Sequence, residues 1–222
     1  MKYIVEVNCV NKRYDSKLVL NKVSLFVSRG DFISILGPSG SGKTTLLSII
    51  SGLEKPDSGK ITILGKDLSK LGSEELGKLR NRHIGFVFQN YNLIPFLSVT
   101  ENIILPQVIN GVDEDKAISL AINLLKRVGL EDKADSFPRQ LSSGEQQRIA
   151  FCRAIINDPD IILADEPTAN LDEENSKKIF NLLRSLSLRN KSVILATHDF
   201  NLARETDKIY RLVDGELVRY DV

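Results

Sequence analysis

The feature of this sequence that most constrains its fold is a glycine-rich loop between an apolar run and a helix-forming segment. Residues 37–44 read GPSGSGKT and meet the spacing GxxxxGK[ST] in full. Residues 32–36 before the loop are apolar and partly β-branched, and residues 44–51 after it are helix-forming. The glycines let backbone N–H groups surround phosphate oxygens, and the helix N-terminus adds partial positive charge. The sequence therefore predicts a phosphate-binding strand–loop–helix unit of an α/β fold.

The positions of this P-loop have expected parts in binding a nucleotide. The Lys43 ammonium reaches the β- and γ-phosphates, and the Thr44 hydroxyl is placed to ligate Mg²⁺. The nucleotide-binding residues predicted in this region are Gly37, Pro38, Ser39, Gly40, Ser41, Gly42, Lys43, Thr44 and Thr45.

The remaining patterns indicate a β/α core interrupted by helices. Strand signals lie at residues 4–7, 23–27, 61–64 and 84–88. A helical pattern follows from about residue 100 to residue 156. Strand signals return at residues 161–164 and 193–196, and Asp214-Gly215 between two apolar runs predicts a hairpin. We therefore expect a nucleotide-binding core that carries an inserted helical lobe.

Two adjacent acids end the predicted strand at residues 161–164. Ligands of open α/β sheets bind beyond the carboxyl ends of the strands, where Asp165 and Glu166 would lie. Successive side chains of a strand point to opposite faces, so the two acids take different roles. We assign Asp165 to the Mg²⁺ shell, mostly through water, and Glu166 to polarising the attacking water as general base.

A second phosphate-binding sequence lies about a hundred residues after the first. Residues 141–148 read LSSGEQQR and begin a predicted helix at residues 144–156. The Ser142 hydroxyl and the N–H groups of Ser143, Gly144 and Glu145 suit an anion. Taken alone, the same pattern is typical of an ordinary N-cap.

Together these motifs resemble the ATP-binding-cassette (ABC) ATPase family over essentially the whole chain. The resemblance implies a P-loop NTPase (RecA-like) core with an N-terminal antiparallel β region and an inserted α-helical subdomain. Residues 1–89 and 158–222 would form the core, and about 90–157 the helical subdomain with the signature. It also implies ATP and Mg²⁺ as ligands and a head-to-tail homodimer, in which Ser142, Ser143, Gly144 and Glu145 complete the partner's ATP site.

Four further residues match the family's motifs in order. Tyr14 resembles the aromatic residue that stacks on adenine, with a core or edge-strand tyrosine as the alternative. Gln89 resembles the Q-loop glutamine, which touches Mg²⁺ or the attacking water. Asp172 belongs to a D-loop that crosses the dimer interface, and His198 resembles the switch histidine that contacts the γ-phosphate. His83 matches no motif, and we expect it on the surface.

Two signature positions depart from the common family pattern. Ser143 replaces the usual glycine, and a positive φ there would cost about 1–2 kcal/mol for a residue with a side chain. Glu145 stands where many members have glutamine, as in the lipoprotein-release and macrolide-exporter branch. Residues 84–95 and 164–172 resemble the same branch.

Composition bears on the partners. The net charge of +1 gives no support for nucleic-acid binding. The two cysteines lack CxxC spacing, and no apolar run reaches the roughly 18–20 residues that span a bilayer. The resemblance therefore implies a separate transmembrane permease subunit, with this chain cytoplasmic and peripheral on the inner face of the membrane. Residues 93–97 line a groove for that partner or belong to the helical lobe's own core, and both readings stay open.

Three other functions were weighed. A P-loop GTPase should carry an NKxD motif, and neither Asn11-Lys12 nor Asn21-Lys22 is followed by that aspartate. Chromosome-maintenance and DNA-repair ATPases carry long coiled-coil insertions that 222 residues do not accommodate. A non-transport ABC ATPase that signals to a cell-division or cell-wall-remodelling membrane partner stays an alternative to export of lipoproteins, peptides or antibiotics.

Overall fold

A computed structural model describes residues 2–221, which form two sheets and seven α-helices. The larger sheet has the strand order β10-β9-β3-β8-β7-β6. Its strands are β3 (Phe32–Leu36), β6 (Ile84–Val87), β7 (Ile161–Asp165), β8 (Ser192–Thr197), β9 (Lys208–Val213) and β10 (Glu216–Tyr220). All neighbouring pairs are parallel except β10 with β9. β7 and β8 are buried throughout, as apolar strands of a parallel sheet require.

The smaller sheet is antiparallel, with the order β2-β1-β4-β5. Its strands are β1 (Val5–Tyr14), β2 (Lys17–Val27), β4 (Ser58–Ile63) and β5 (Lys66–Asp67). The first two are longer than the sequence predicts because register shifts interrupt their apolar alternation.

The helices are α1 (Lys43–Ile50), α2 (Ser73–His83), α3 (Val99–Ile109), α4 (Glu114–Val128), α5 (Ser143–Ile155), α6 (Glu173–Ser187) and α7 (Phe200–Arg204). Helix α1 begins directly from the P-loop, and Gly52 just beyond its end has a φ of 68°. The sequence pattern does not predict helix α2, because only Leu76 and Leu79 give it an apolar face.

Helices α3, α4 and α5 share a core of their own. It contains Ile103, Leu125 and the predicted inner face of α5, with Ile149, Cys152 and Ile156. Gly129 ends α4 in the left-handed conformation, as expected. Leu93 packs against this core, whereas Phe96 is 87% exposed, so the segment at residues 93–97 is divided between the two readings.

Parallel pairing places four loops at one edge of the large sheet. The strands β3, β8, β7 and β6 are consecutive neighbours, so their carboxyl ends lie side by side. In register, Leu36 pairs with Thr197 and Asp165 with Ala196. At the far edge, Asp214 and Gly215 have φ of 51° and 80° and connect β9 to β10, which confirms the predicted hairpin. Within residues 2–221, none of the helices has the length and apolarity that crossing a bilayer demands.

Candidate functional site

A cavity of about 550 Å³ opens where the four strand ends meet. This volume lies in the range of roughly 300–1,000 Å³ that small-molecule sites occupy. Predicted site residues in its lining are Tyr14, Ser39, Gly40, Gly42, Lys43, Thr44, Thr45, Gln89, Glu166 and His198. The adjacent strand ends therefore bring together residues as distant in the sequence as Ser39 and His198.

The P-loop needs its glycines for close approach. A Cβ at Gly37 would lie 2.6 Å from the Leu212 carbonyl oxygen. Gly42 has a φ of 101°, and a Cβ there would lie 2.9 Å from Val19. The loop can therefore curl against the strands only without side chains at these positions.

A buried ion pair joins the P-loop to the acid pair. Lys43 is 5% exposed, and its Nζ lies 3.2 Å from Glu166 Oε1. The same ammonium donates to the carbonyl oxygens of Gly37 and Pro38, at 2.8 and 3.0 Å. On its other side Glu166 Oε2 contacts His198 Nδ1 at 2.9 Å. One carboxylate thus holds both a cation and an imidazole.

Glu166 owes this position to an uncommon backbone conformation. Strand β7 ends at Asp165, and Glu166 then turns into the left-handed region with φ 45°. Its N–H donates to the Ala196 carbonyl oxygen at 2.9 Å. Such a conformation costs about 1–3 kcal/mol and is found at functional sites, where the surrounding structure holds it in place.

Asp165 is buried beside this network without full satisfaction. It is 5% exposed, and its Oδ1 has no hydrogen-bond partner among the described residues. Burial raises the pKa of Asp165 above its ordinary value, and the Glu166 charge adds to the rise, while the Thr44 hydroxyl and Lys43 oppose it. The Ser41 Oγ is likewise buried without a partner. The Asp165 carboxylate oxygen is suited to a bound cation. The Ser41 hydroxyl, in the P-loop, is suited to donate to a bound anion.

Tyr14 lies at the mouth of the cavity. Its ring is 44% exposed, and its hydroxyl donates to Glu54 Oε2 at 2.5 Å. Lys12 contacts the same carboxylate at 2.8 Å. The hydroxyl is therefore fixed while a ring face stays open, which suits stacking on a base. Glu54 was not found from the sequence, because no motif marks it.

The signature residues do not line this cavity. Ser142 caps α5, accepting from the Glu145 N–H at 3.3 Å, while its own N–H and hydroxyl donate to Glu145 Oε2 at 2.7 and 2.9 Å. This is a capping box, and its S-x-x-E pattern is legible in the sequence. Ser143 is the first residue of α5 and has no positive φ, so the expected backbone cost at this serine does not arise.

Asp172 is the N-cap of α6 and accepts from the Asn175 N–H at 2.8 Å. The N–H groups at Asn175 and Glu174, with the Asn175 side chain, hold the pKa of Asp172 below its ordinary value. In the described chain this D-loop aspartate therefore acts first as a helix cap.

Comparison with known proteins places these features in one family. The family model described as ABC transporter matches residues 20–169, more than half of the chain. The chain belongs to the ABC transporter family. It is an ATP-binding-cassette ATPase of the type represented by LolD and MacB proteins, and it binds ATP.

Relatives of several organisms support this placement. LolD 1 of Rhodopirellula baltica, a lipoprotein-releasing system ATP-binding protein, is 46% identical over 90% of this chain and 88% of that protein. LolD of Bacteroides fragilis is 40% identical over 97% of this chain and 100% of that protein. MacB 2 of Yersinia pestis, a macrolide export ATP-binding/permease protein, is 41% identical over 90% of this chain. The chain spans only 30% of the length of that MacB protein.

A solved structure of the ATP-binding cassette MJ0796, dimeric, post-hydrolysis and bound to ADP and Pi, has 40% identity and a TM-score of 0.91. It covers 98% of this chain and 99% of its own. The predicted α/β P-loop NTPase fold is therefore confirmed.

The two ends of β7 give opposite predictions for the stability of the cassette. Removing the charge by Asp165→Asn should raise the free energy of unfolding of the nucleotide-free protein by about 1 kcal/mol or more, because a buried charge with an unpaired oxygen is lost. Since the pKa of Asp165 is raised in the folded protein, this gain should be full above that folded-state pKa and shrink as the pH falls through it towards 3.8. Urea unfolding at several pH values measures it.

The matched control is Asp160→Asn at the start of the same strand. Asp160 accepts from Arg29 and contacts His83 Nδ1, at 2.7 and 2.8 Å, so the histidine expected on the surface is half-buried and paired. Burial alone raises the pKa of Asp160, but the hydrogen bonds from His83 and Arg29 outweigh it and lower the pKa. Asp160→Asn should therefore destabilise at neutral pH, and this loss should fade in acid. If both substitutions changed the free energy of unfolding in the same direction, the electrostatic interpretation would be contradicted.

Proposed function

We propose that this chain hydrolyses ATP with Mg²⁺ as one subunit of a dimer and so drives a separate membrane subunit that exports or extrudes its cargo. The observation that carries the proposal is the buried Lys43–Glu166 pair beside the P-loop, with the His198 ring in contact with the same carboxylate. The names of the LolD and MacB relatives support lipoproteins, peptides or antibiotics as the cargo class.

Phosphate binding follows from the loop and its lysine. Backbone N–H groups of the P-loop and the N-terminus of α1 stabilise negative charge, and Lys43 adds a full positive charge. Lys43 already lies against Glu166, so an incoming γ-phosphate competes with that carboxylate for the same ammonium. Binding of the triphosphate therefore releases Glu166 from its cation.

The oxygen ligands fit Mg²⁺. The Thr44 hydroxyl and the Gln89 amide are hard oxygen ligands in the cavity lining, and the Asp165 carboxylate lies beside Thr44. Asp165 Oδ1 has no hydrogen-bond partner among the described residues. When bound, the metal neutralises charge that develops on the β- and γ-phosphate oxygens. Its presence would also lower the raised pKa of Asp165, because a cation favours the ionised form.

Once freed from Lys43, Glu166 can act as general base. Its Oε2 retains the contact with His198 Nδ1, which orients the carboxylate, and its left-handed backbone keeps it at the cavity. His198 is half-exposed, so its ring can contact the γ-phosphate while it holds Glu166. This arrangement assigns proton transfer to Glu166 and positioning to His198.

The signature completes the site of a second copy. Ser142, Ser143, Gly144 and Glu145 do not line their own chain's cavity, although the helix N-terminus they form suits an anion. In a head-to-tail homodimer the α5 N-terminus of one chain faces the γ-phosphate held by the other, and Asp172 lies at the same interface. The dimeric MJ0796 cassette structures support this arrangement.

We also propose that residues 1–89 and 158–222 form the nucleotide-binding core and about 90–157 the helical subdomain. The separate core of α3, α4 and α5 supports this division. Through its membrane partner the protein would sit at the inner face of the cell membrane.

A cleft of about 380 Å³ between the two parts is the proposed docking site of the membrane subunit. Its walls combine Phe86 and Phe88 from the core with Leu105 and Ile109 from α3, and Arg153 lies at its base. Ile109 is 68% exposed. An apolar cleft with exposed rims suits a short amphipathic helix of a permease. Residues 93–97, which the sequence offered as a possible groove lining, do not line this cleft.

The dimer is tested by Glu166→Gln. Without its general base, the variant should bind ATP, fail to hydrolyse it and accumulate as a dimer at saturating ATP with Mg²⁺. Size-exclusion chromatography with light scattering measures this mass, with ADP as the control that leaves monomers. A monomer under saturating ATP would contradict the proposal that the signature of one chain completes the ATP site of the other.

The trans arrangement is tested by complementation. Ser142→Arg places a bulky cation at the signature, and Lys43→Ala removes the phosphate-binding ammonium, so each variant alone should lose at least about a hundredfold in ATPase rate. In an equimolar mixture, the heterodimer regains one site with an intact Lys43 and an intact Ser142. The mixture should therefore recover a substantial part of the wild-type rate, and a mixture as inactive as its components would show that the signature does not act in trans.

The docking cleft is tested by charge insertion on α3. Ile109→Glu places a carboxylate in the cleft and should shift the protein from the membrane pellet to the supernatant in cells of its own source, with ATPase activity unchanged. Val108→Glu is the matched control, since Val108 is also exposed, at 46%, but does not line the cleft. Equal sedimentation of both variants would exclude this cleft.

A further inference from the structure

Two helices that begin side by side join the signature to the D-loop within one chain. Helix α5 begins at Ser143 after its cap Ser142, and α6 begins at Glu173 after its cap Asp172. Asn175, the third residue of α6, lies between them. None of the family motifs in the sequence includes this asparagine.

The Asn175 side chain bonds in two directions. Its Oδ1 accepts from Arg148 on α5 at 2.8 Å, and its Nδ2 donates to Asp172 Oδ2 at 2.8 Å. Its backbone N–H also donates to Asp172 Oδ1 at 2.8 Å. A neutral amide is suited to this place, because it offers an acceptor to the cation and a donor to the carboxylate at once.

Packing fixes the same contact independently. Gly144 is buried in the first turn of α5, and a Cβ added there would lie 2.7 Å from Asn175 Cγ. The glycine of the signature therefore leaves the space that Asn175 occupies. A shift of either helix start would open this contact or force a clash.

The Arg148 side chain makes few hydrogen bonds within residues 2–221. Its Nε is buried and makes no hydrogen bond within residues 2–221, and Asn175 is the acceptor of its terminal nitrogen. Loss of Asn175 would leave a partly buried guanidinium with a further unsatisfied donor, and such losses are costly. The position of the signature helix therefore depends on a residue of the core.

We propose that Asn175 is a positioning residue that couples the signature helix to the D-loop aspartate, so that the α5 N-terminus and Asp172 engage the partner subunit as one unit. This inference rests on the proposed dimer. Asn175 touches neither nucleotide nor reacting atoms, and it acts through Arg148, Gly144 and Asp172.

The test combines Asn175→Ala with Glu166→Gln, in which hydrolysis is blocked. The ATP concentration for half-maximal dimerisation should rise about fivefold or more over Glu166→Gln alone. The affinity of the dilute monomer for a fluorescent ATP analogue should stay within about twofold, because the P-loop is untouched. In the hydrolysing background, the Hill coefficient for ATP should fall towards one. Asn181→Ala, an exposed asparagine of the same helix, is the matched control and should change none of these values.

A second variant separates coupling from simple loss of packing. Asn175→Asp keeps the size and the acceptor for Arg148 but sets a carboxylate against Asp172, so it should weaken dimerisation. In the Asp172→Asn background the donor and acceptor are exchanged, and the same Asn175→Asp change should have no harmful effect. Asparagine caps a helix as well as aspartate does, so α6 keeps its cap.

The outcomes separate this inference from the proposed function. If Glu166→Gln stays monomeric with ATP, the dimer proposal fails. If Glu166→Gln dimerises and Asn175→Ala shifts neither the half-maximal ATP concentration nor the Hill coefficient, the coupling role of Asn175 is wrong while the dimer stands. An equal loss from Asn175→Asp in both Asp172 backgrounds would also overturn it.

Discussion

Parallel pairing of β3, β8, β7 and β6 is the constraint on which the site depends. Each of these strands is followed, past its carboxyl end, by a predicted site residue, and lateral pairing alone brings those ends together. The buried strands that create this edge are stabilised by apolar burial on both faces. Polar residues are thereby held at a rim that the sheet interior makes rigid, so catalytic geometry follows from packing of the core.

Within that rim, the Lys43–Glu166 pair sets the resting state. Both groups are nearly buried, and an ion pair of this kind balances a large desolvation cost against attraction and hydrogen bonds. Lys43 adds two carbonyl acceptors, so its charge is well satisfied before any phosphate arrives. Asp165 is less well satisfied: burial raises its pKa, and its Oδ1 has no hydrogen-bond partner among the described residues, a combination that is common at functional sites. Of the two adjacent acids, Glu166 is therefore paired with a cation, whereas the burial of Asp165 costs stability.

Sequence predicted the parts of this site that depend on local patterns. The P-loop spacing, the acid pair at a strand end and the hairpin at Asp214 are short-range signals, and the structure places each of them at its expected element. Helix α2 was not predicted from the sequence because its apolar face is too narrow to show a helical period. The pairing of His83 with Asp160 spans 77 positions and follows from the β6–β7 neighbourhood, which no local pattern encodes. The same holds for Asn175, whose importance depends on two helix starts becoming adjacent in space.

Helix α5 is hydrogen-bonded to the core through Gln147 and Arg148, and to the segment that follows Gln89 through Arg153 near its end. Gln147 Nε2 donates to the Phe88 carbonyl oxygen just before Gln89, at 3.4 Å, and Arg148 donates to Asn175. Further along, Arg153 donates to the carbonyl oxygens of Tyr91 and Asn92, at 2.7 Å each, where the backbone has positive φ. The signature helix is thus bonded to the Q-loop segment on one side and to the D-loop helix on the other.

These hydrogen bonds connect the start of α5 to segments that follow β6 and β7. The side-chain oxygen of Gln147 and the Nε of Arg148 are buried in the same turns, without hydrogen-bond partners among the described residues. Since both belong to the first turns after the signature, closure of a second subunit onto Ser142 would act on the same turns that hold the Q-loop and the D-loop. A small shift at one helix start can therefore alter two nucleotide-facing loops at once, because packed helices move as rigid elements.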